Sequence, residues 1–265
     1  MSSLNTPAIL LRRIEYGDYD LIVTLFTPQL GKTSAIAKSA KKSVKRFPGI
    51  LEPFSCLDVV LTKGRGKGLP VLQEASLEEP FFKIRENIVK TAYASYWSEL
   101  VYLWMAEGEP LEPLYQLILH VLAELNRGST PVEVLSILFQ MRFLSLAGFR
   151  PNFDHCHTCK KSLDQIRHAV VVSDPARGGI ACPTCMGSSN DRPKISKGTL
   201  KQLNWTDTGD LERAARVRFT AAAVAEGLTF LESFVPFHIG KSPKSLKVLR
   251  KVRKELESRV LSFKC

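Results

Sequence analysis

Residues 8–27 read AILLRRIEYGDYDLIVTLFT, two apolar runs on either side of the dipeptide Gly17-Asp18. Both runs are rich in β-branched and aromatic residues, which favour β-strands. A Gly-Asp pair between two such runs favours a turn. This stretch therefore predicts a β-hairpin near the start of the chain.

Three more short strands are predicted downstream, at residues 32–38, 54–63 and 69–77. The last two are joined by the glycine-rich segment GRGKG at residues 64–68. Five short strands within about 75 residues are typical of a small closed barrel, for which the OB-fold is the obvious candidate. We therefore predict an OB-fold over residues 1–80.

After Pro80 the apolar residues recur at helical spacing, which predicts an α-helical domain over residues 81–152 and 191–265. Within it, the pattern predicts one helix at 211–235 and a last helix at 244–262. The predicted fold class is thus α+β and multidomain, with an N-terminal barrel followed by helices.

The third helix has the clearest boundary signals. Thr130 is the predicted N-cap, Pro131 the first helical residue and Glu133 the partner in a capping box. Gly148 follows the apolar stripe and is the predicted C-cap.

The cysteines predict a metal site. Four of the six lie in two C-x-x-C pairs separated by 22 residues, namely Cys156, Cys159, Cys182 and Cys185. Each C-x-x-C turn aims two sulfurs at one point, so two turns supply the tetrahedral thiolate shell of structural zinc. Residues 168–182 predict a hairpin that carries the second pair beside the first. We predict one four-cysteine, zinc-ribbon-like module at residues 153–190, inserted in the helical domain.

Other interpretations of the cysteines stay open at this point. They could form two redox-active pairs, or a site that holds no metal, although a thioredoxin-like pair is expected near a βαβ pattern, which the sequence lacks. His155 and His157 flank the first pair and could replace a cysteine ligand. Four thiolates would close the zinc shell and leave no position for water, which favours a structural metal over a catalytic one.

Composition describes an ordinary globular protein of two or three domains, with 265 residues, 45% of them apolar and 24% charged. No run approaches about 18 uncharged apolar residues, and the N-terminal residues lack a signal-peptide pattern. We expect a cytosolic protein that does not span a membrane.

The formal net charge is +11, which favours a polyanionic partner such as nucleic acid, although a merely basic surface stays open. Residues 32–46 contain six Lys or Arg and no acid. No H-E-x-x-H or G-x-S-x-G string occurs, and the P-loop and dinucleotide patterns are incomplete. We therefore predict that the chain is not an enzyme.

Several strings in combination resemble the RecO family of bacterial recombination mediators, from about residue 8 to residue 255. They are YGDYDLIVTLFTPQLGKTSAIAKSAKKS at 16–43, LEPFSCLDVVLTKGRGKGLPVLQEAS at 51–76, LAGFRPNFDHCHTC at 146–159 and FHIGKSPKSLKVLRK at 237–251. One departure is Ser39, where the family commonly has glycine; it is expected to alter the bend from strand to loop without removing the basic surface.

The resemblance implies an N-terminal OB-fold, a helical domain and a structural zinc module. It implies binding of single- and double-stranded DNA, annealing of complementary strands and help in loading recombinase onto DNA coated with single-stranded DNA-binding protein. The implied partners are DNA, RecR, the acidic C-terminal tail of single-stranded DNA-binding protein and, indirectly, RecA. The implied location is the cytoplasm, in association with the nucleoid.

An OB barrel offers single strands a groove of basic and aromatic groups. The residues predicted to contact DNA are Lys32, Lys38, Lys41, Lys42, Lys45, Arg46, Arg65, Lys67, Lys247, Arg250 and Lys251. Tyr16, Tyr19 and Phe26 are candidates for stacking on bases, with packing in or beside the barrel as the alternative. A zinc-ribbon scaffold that binds a protein partner, with incidental DNA contact, is the alternative function.

Overall fold

The computed structural model describes residues 3–43, 45–63, 68–186 and 192–262, without the side chains of 215 and 259–262. The chain divides into two compact units, Met1–Arg127 with Val252–Cys265, and Gly128–Lys251. The three-part domain division drawn from the sequence, with boundaries at 80, 152 and 190, stays a prediction.

Five strands of the first unit form a closed barrel in the order β1-β2-β3-β5-β4. They are β1 (Ser3–Tyr16), β2 (Asp20–Thr27), β3 (Gly31–Ala37), β4 (Cys56–Thr62) and β5 (Val71–Glu79). β3 and β5 pair in parallel, through Ile36 and Val71, and the other neighbours are antiparallel. The barrel and the hairpin that begins it confirm the prediction from residues 8–27.

Strand alternation separates the barrel core from its outer surface. Successive side chains of a strand point to opposite faces. On β2, Leu21, Val23 and Leu25 point inward and belong to the buried core of the barrel. The residues between them, Ile22 and Thr24, therefore point outward.

Three helices follow the barrel in the same unit, α1 (Phe82–Arg85), α2 (Ile88–Trp104) and α3 (Glu112–Arg127). Asn87 caps α2, because its side chain accepts hydrogen bonds from the backbone N–H groups of Val89 and Lys90. Trp97 of α2 is fully buried. The segment between α2 and α3 lies along β3, where the Gly108 N–H donates to the Lys32 carbonyl at 2.9 Å.

The second unit combines helices with a small sheet of order β6-β8-β7-β9. In chain order its elements are α4 (Val132–Leu146), β6 (Asn152–Cys156), β7 (Val170–Asp174), β8 (Gly179–Ala181), α5 (Pro183–Met186), β9 (Lys194–Ser196), α6 (Lys197–Asp207), α7 (Leu211–Ala215) and α8 (Ala221–Ile239). The last helix of the chain is α9 (Lys244–Ser262). β7 and β8 are antiparallel neighbours and form the hairpin predicted at 168–182. The α+β fold class is confirmed.

The predicted capping box of α4 is wrong. Pro131, and not Thr130, is the N-cap, with extended ψ and no side-chain cap hydrogen bond of its own. The Pro131 carbonyl accepts the N–H groups of Val134 and Leu135 at 3.0 and 3.1 Å, so helical hydrogen bonding begins one residue later than predicted. The end of the helix agrees with the prediction, since Gly148 adopts φ +79 after the C-cap Ala147.

The single helix predicted at 211–235 is also wrong, because two capped helices, α7 and α8, occupy this region. Thr220 caps α8, its side chain accepting the Ala223 N–H at 3.1 Å. α8 then continues through Pro236, which lacks the N–H that the Glu232 carbonyl would accept in a regular helix. The Arg250 guanidinium donates to that carbonyl at 3.2 Å and to the Glu232 carboxylate at 3.1 Å. A side chain therefore donates to a carbonyl group that the proline cannot serve.

Ser39 adopts φ +55, a left-handed conformation that suits glycine. The left-handed region costs an ordinary residue roughly 1–2 kcal/mol, against about 0.5–1 kcal/mol of extra chain entropy for glycine. We expect Ser39→Gly to raise the free energy of unfolding by about 0.5–1 kcal/mol, measured by urea denaturation. The matched control is Ser76→Gly in the extended strand β5, which we expect to lower it. Equal losses in both variants would contradict this assignment of strain to Ser39.

Candidate functional site

The four predicted cysteines form one cluster in the second unit. Their Sγ atoms all lie within 4.8 Å of one another, and Cys159 Sγ is 3.8 Å from Cys182 Sγ. Four sulfurs at about 2.3 Å from a tetrahedral zinc are separated by about 3.8 Å, whereas a disulfide requires about 2.0 Å. The donor set and its spacing therefore fit a metal ion held by four thiolates, and the described cysteines form no disulfide.

Two adjacent strands bring the pairs together. Cys156 ends β6 and pairs with Ile180 of β8, and Cys182 directly follows β8. In the first turn the Lys160 N–H donates a hydrogen bond to the Cys156 carbonyl at 2.9 Å, and Lys160 adopts φ +61. In the second turn the Cys185 N–H returns to the Cys182 carbonyl at 3.0 Å. Each turn thus directs two sulfurs toward the same point.

The four thiols of the cluster influence one another's ionisation. Burial raises the pKa of Cys156, but hydrogen bonds from the backbone N–H groups of Cys159, Cys182 and Thr158 outweigh burial and bring it to about 6. Hydrogen bonds with Cys182 and Cys159 raise the pKa of Cys185 to about 12, because adjacent sulfurs do not all ionise without a cation between them. Cys156 and Cys182 are buried, and Cys159 is exposed.

Histidine does not belong to this cluster. Within the described ranges, the one group that could hold a metal consists of the four cysteines alone. His155 instead pairs through its backbone with Ser162, and the His157 N–H donates to the Ile180 carbonyl at 2.9 Å. The structure thus gives no support to the alternative in which either histidine replaces a cysteine.

A second candidate site is a cleft of about 650 Å³ on the outer surface of the barrel, called here the barrel cleft. Its described lining residues are Tyr16, Ile22, Ile36, Lys38, Arg46, Thr62, Lys63, Gly68, Leu69, Val71 and Gln73. These residues come from the ends of β1, β3 and β4, from β2 and β5, and from two loops. OB-folds bind oligonucleotides with this same face of β2 and β3 and the adjoining loops.

The barrel cleft is cationic. Lys38, Arg46 and Lys63 line it, and no acidic residue is among its described lining residues. The Arg46 guanidinium is held in place, since it donates to the Lys38 carbonyl at 2.6 Å and lies 5.1 Å from the centre of the Phe47 ring. A positioned guanidinium loses little conformational entropy when it binds a phosphate.

Three other basic residues predicted to contact DNA lie on the loop after β3 but outside the barrel cleft. Lys41 forms an ion pair with Glu15 at 2.8 Å, which lowers the pKa of that carboxyl group. Lys42 lies over the Tyr19 ring, 3.4 Å from its centre. Lys45 is exposed on the same loop. None of these three lines the barrel cleft, and their contact with DNA stays a prediction.

Lys32 lies at the opposite end of β3 from Lys38. Its ammonium donates to the backbone carbonyl of Tyr102 at 2.9 Å and lies 4.9 Å from the centre of the Tyr102 ring. The structure therefore does not bring Lys32 together with the loop residues. Arg65 and Lys67, also predicted to contact DNA, lie outside the described residues.

The three predicted residues on α9 differ in their surroundings. Lys247 and Lys251 are exposed. Arg250 bonds to Glu232, whose side chain is only 4% exposed, and thereby joins α8 to α9. Contact between these three residues and DNA stays a prediction.

Sequence reasoning missed some residues of the cleft and left the role of the aromatic residues open. Lys63 belongs to a basic segment of the sequence but is not among the predicted site residues, although it directly follows β4. Of the predicted stacking residues, Tyr16 lines the cleft and is 53% exposed. Phe26 is fully buried, with its ring 5.9 Å from that of Tyr115, so of the two roles left open for it the structure supports packing and not stacking on bases.

The fold and these two sites define an OB-barrel protein with a helical second unit that carries a four-cysteine cluster able to hold a metal ion. Two family profiles match the chain, "Recombination protein O N terminal" over residues 1–81 and "Recombination protein O C terminal" over residues 85–247. The chain belongs to the RecO family of DNA repair proteins, as its sequence motifs predicted.

Relatives named DNA repair protein RecO match the chain over nearly its whole length. The protein of Desulfatibacillum aliphaticivorans is 44% identical over 255 residues, which cover 96% of this chain and 99% of the relative. That of Desulfosudis oleivorans is 45% identical over 258 residues, with the same coverage. That of Syntrophus aciditrophicus is 33% identical over 252 residues, covering 94% and 96%.

No helix in the described part of the chain is long and apolar enough to cross a membrane.

Proposed function

We propose that this RecO family protein binds single- and double-stranded DNA, anneals complementary strands and helps load recombinase onto DNA coated with single-stranded DNA-binding protein. The observation that carries the proposal is the barrel cleft, which Lys38, Arg46 and Lys63 line and in which no described lining residue is acidic. Its proposed partners are RecR, the acidic tail of single-stranded DNA-binding protein and, indirectly, RecA, and its proposed place of action is the cytoplasm, on the nucleoid.

Annealing needs no bond to be made or broken in the protein or the DNA. It requires that the repulsion between two phosphate backbones be screened while the bases find their partners. Cations on the protein supply this screening and release condensed counterions, so binding weakens steeply as salt is added. This mechanism agrees with the prediction that the chain is not an enzyme.

We further propose that the four-cysteine cluster holds one zinc ion with a structural role. Thiolates suit zinc, and four of them leave no coordination position for water. The ion would fix the two turns that the sheet β6-β8-β7-β9 brings together. The cysteines would contribute thiolate ligands and the backbone N–H groups around Cys156 would stabilise its charge.

The test compares two triple variants in a salt series with a single-stranded oligonucleotide. Lys38, Arg46 and Lys63 are changed to Ala in the cleft variant. In the control, three exposed cations that do not line the cleft, Lys83, Lys201 and Arg216, are changed to Ala. We expect the plot of log affinity against log salt concentration to be shallower for the cleft variant, by roughly 2 in slope, because each lost phosphate contact lowers the slope by about 0.7–0.9. We expect its affinity to fall about 100-fold and annealing to fall with it.

The control variant removes the same charge and should keep the wild-type slope. A cleft variant that also keeps the wild-type slope would place the DNA path elsewhere, with Lys247 and Lys251 the next residues to change. Wild-type protein that neither binds nor anneals DNA would refute the proposed function and favour the alternative, a protein-binding scaffold.

A further inference from the structure

The floor of the barrel cleft is aliphatic. Across the sheet, Ile14 of β1 pairs with Ile22, Ile22 with Ile36, and Ile36 with Val71. These four residues form one continuous row on the outer surface, and each is at least partly exposed. The face of the OB-fold that would meet DNA thus presents methyl and methylene groups.

Aromatic side chains are scarce at this face. Tyr16, at the end of β1, is the one aromatic among the described residues that line the cleft. Phe26, further along β2, is buried, and Tyr19 lies outside the cleft beneath the Lys42 ammonium. Residues 64–67, which are not described, read GRGK and contain no aromatic residue.

Proteins that hold single strands by their bases need a series of stacking platforms. Each stacked base strengthens binding by about 5- to 150-fold, so a cleft that binds bases carries aromatic side chains at successive positions. One tyrosine at the edge of an aliphatic floor can stack at most on the base beside it. The barrel cleft therefore lacks the groups needed to bind a run of bases.

The cations flank the aliphatic floor on both sides. Val71 lies between Ile36 and Thr62 in the sheet. Lys38 lies two residues after Ile36, and Lys63 directly follows Thr62. The Arg46 guanidinium donates to the Lys38 carbonyl. A sugar–phosphate chain along the row would place deoxyribose carbons on the aliphatic side chains and its phosphates beside cations.

We propose that the barrel cleft binds single-stranded DNA by its sugar–phosphate backbone and leaves the bases facing solvent. This inference rests on the proposed DNA binding and assigns the ligand of the cleft to the backbone. Its consequence is that the Watson–Crick edges of the bound strand stay available, so a complementary strand pairs without first displacing the protein from the bases. Binding and annealing then do not compete.

The decisive probe is an oligonucleotide without bases. We expect an abasic deoxyribose–phosphate oligomer to bind wild-type protein within about 3-fold of oligo(dT) of the same length, because the two share the backbone and its charge. We expect permanganate to oxidise the thymines of bound oligo(dT) as fast as those of free oligo(dT). We also expect Tyr16→Ala to change the affinity for oligo(dT) by less than about 3-fold.

Ile36→Trp provides the matched variant, because it places an aromatic platform in the row without changing the charge. It should favour oligo(dT) over the abasic oligomer by at least about 5-fold and slow annealing. The triple cleft variant should lose affinity for both oligomers.

The possible failures are distinct. Wild-type protein that binds oligo(dT) but binds the abasic oligomer more than about 10-fold more weakly, or that protects the thymines, would overturn backbone binding and leave the proposed function intact. Wild-type protein that binds neither oligomer would refute the proposed function itself.

Discussion

Replacing both Cys156 and Cys182 with serine is expected to abolish metal binding and to unfold the sheet β6-β8-β7-β9. Both side chains are buried, and Cys156 accepts the Cys182 N–H through its sulfur at 3.2 Å. We expect the proposed zinc to supply much of the stability of the sheet, since structural zinc contributes apparent values of about 10–16 kcal/mol in zinc-finger peptides. The loss should therefore exceed that of any single core substitution.

Two measurements on the full chain test this expectation. Elemental analysis should find one zinc per wild-type chain and none in the double variant. Hydrogen exchange should become fast for the backbone amides of β7 and β8 and stay slow for those of β2 and β3, because the barrel has its own core.

Cys56→Ala is the matched control, since Cys56 is buried outside the cluster and its loss should leave the zinc content unchanged. Oligonucleotide affinity of the double variant should stay within about 3-fold of wild type, because the barrel cleft contains no cysteine among its described lining residues. Zinc-free wild-type protein with a fully protected sheet would contradict the structural role of the metal.

Local signals were sufficient to predict the barrel and the cysteine cluster. The two apolar runs on either side of Gly17-Asp18, rich in β-branched and aromatic residues, favour a hairpin, and each C-x-x-C turn directs two sulfurs to one point. Those predictions depend on spacing within a few residues. For the same reason the hairpin between Val170 and Ala181, which carries the second pair, was predicted correctly.

Predictions failed where the outcome depended on competing local groups or on distant neighbours. Thr220 caps a helix instead of continuing one, and where α8 passes Pro236, Arg250, fourteen positions further on, donates to the Glu232 carbonyl. Helix propensities summed along the sequence take neither the Thr220 cap nor the Arg250–Glu232 hydrogen bond into account. Boundaries were therefore less predictable than the existence of the elements.

The barrel cleft could be predicted only in part, because its residues meet through the strand order β3-β5-β4. Lys38 and Lys63 lie far apart in sequence and flank Val71 in the sheet, whereas Lys32, much closer to Lys38 in sequence, lies at the other end of β3. Clustering of charge along the sequence identified the loop but not which of its cations face the cleft.

The largest effect expected from a single substitution in the barrel is that of Gly31→Ala. Gly31 begins β3 at φ +62, and a Cβ there would lie 1.9 Å from the carbonyl oxygen of Glu109. The left-handed conformation alone costs an alanine roughly 1–2 kcal/mol. The collision would also push the segment 107–110 away from β3 and break its hydrogen bonds to the strand.

Three hydrogen bonds hold that segment to β3. The Gly108 N–H donates to the Lys32 carbonyl at 2.9 Å, and the Glu107 carboxylate accepts the Ser34 hydroxyl at 2.7 Å and the Ser34 N–H at 3.2 Å. At about 0.5–1.5 kcal/mol each, their loss together with the backbone strain should lower the free energy of unfolding by about 3–5 kcal/mol.

Gly17→Ala separates the cost of the left-handed backbone from the cost of the collision with Glu109. Gly17 has nearly the same φ, +59, but no atom lies within 4 Å of the position of its Cβ. Urea unfolding followed by the fluorescence of the buried Trp97 should therefore show a loss of only about 1–2 kcal/mol in this variant, with the further loss in Gly31→Ala due to contact with Glu109. Equal losses would mean that the segment 107–110 moves aside freely and contributes little to the stability of the barrel. A larger loss for Gly31→Ala, with fast hydrogen exchange at Gly108, would show that this segment covers the edge of β3 and helps to keep the barrel closed.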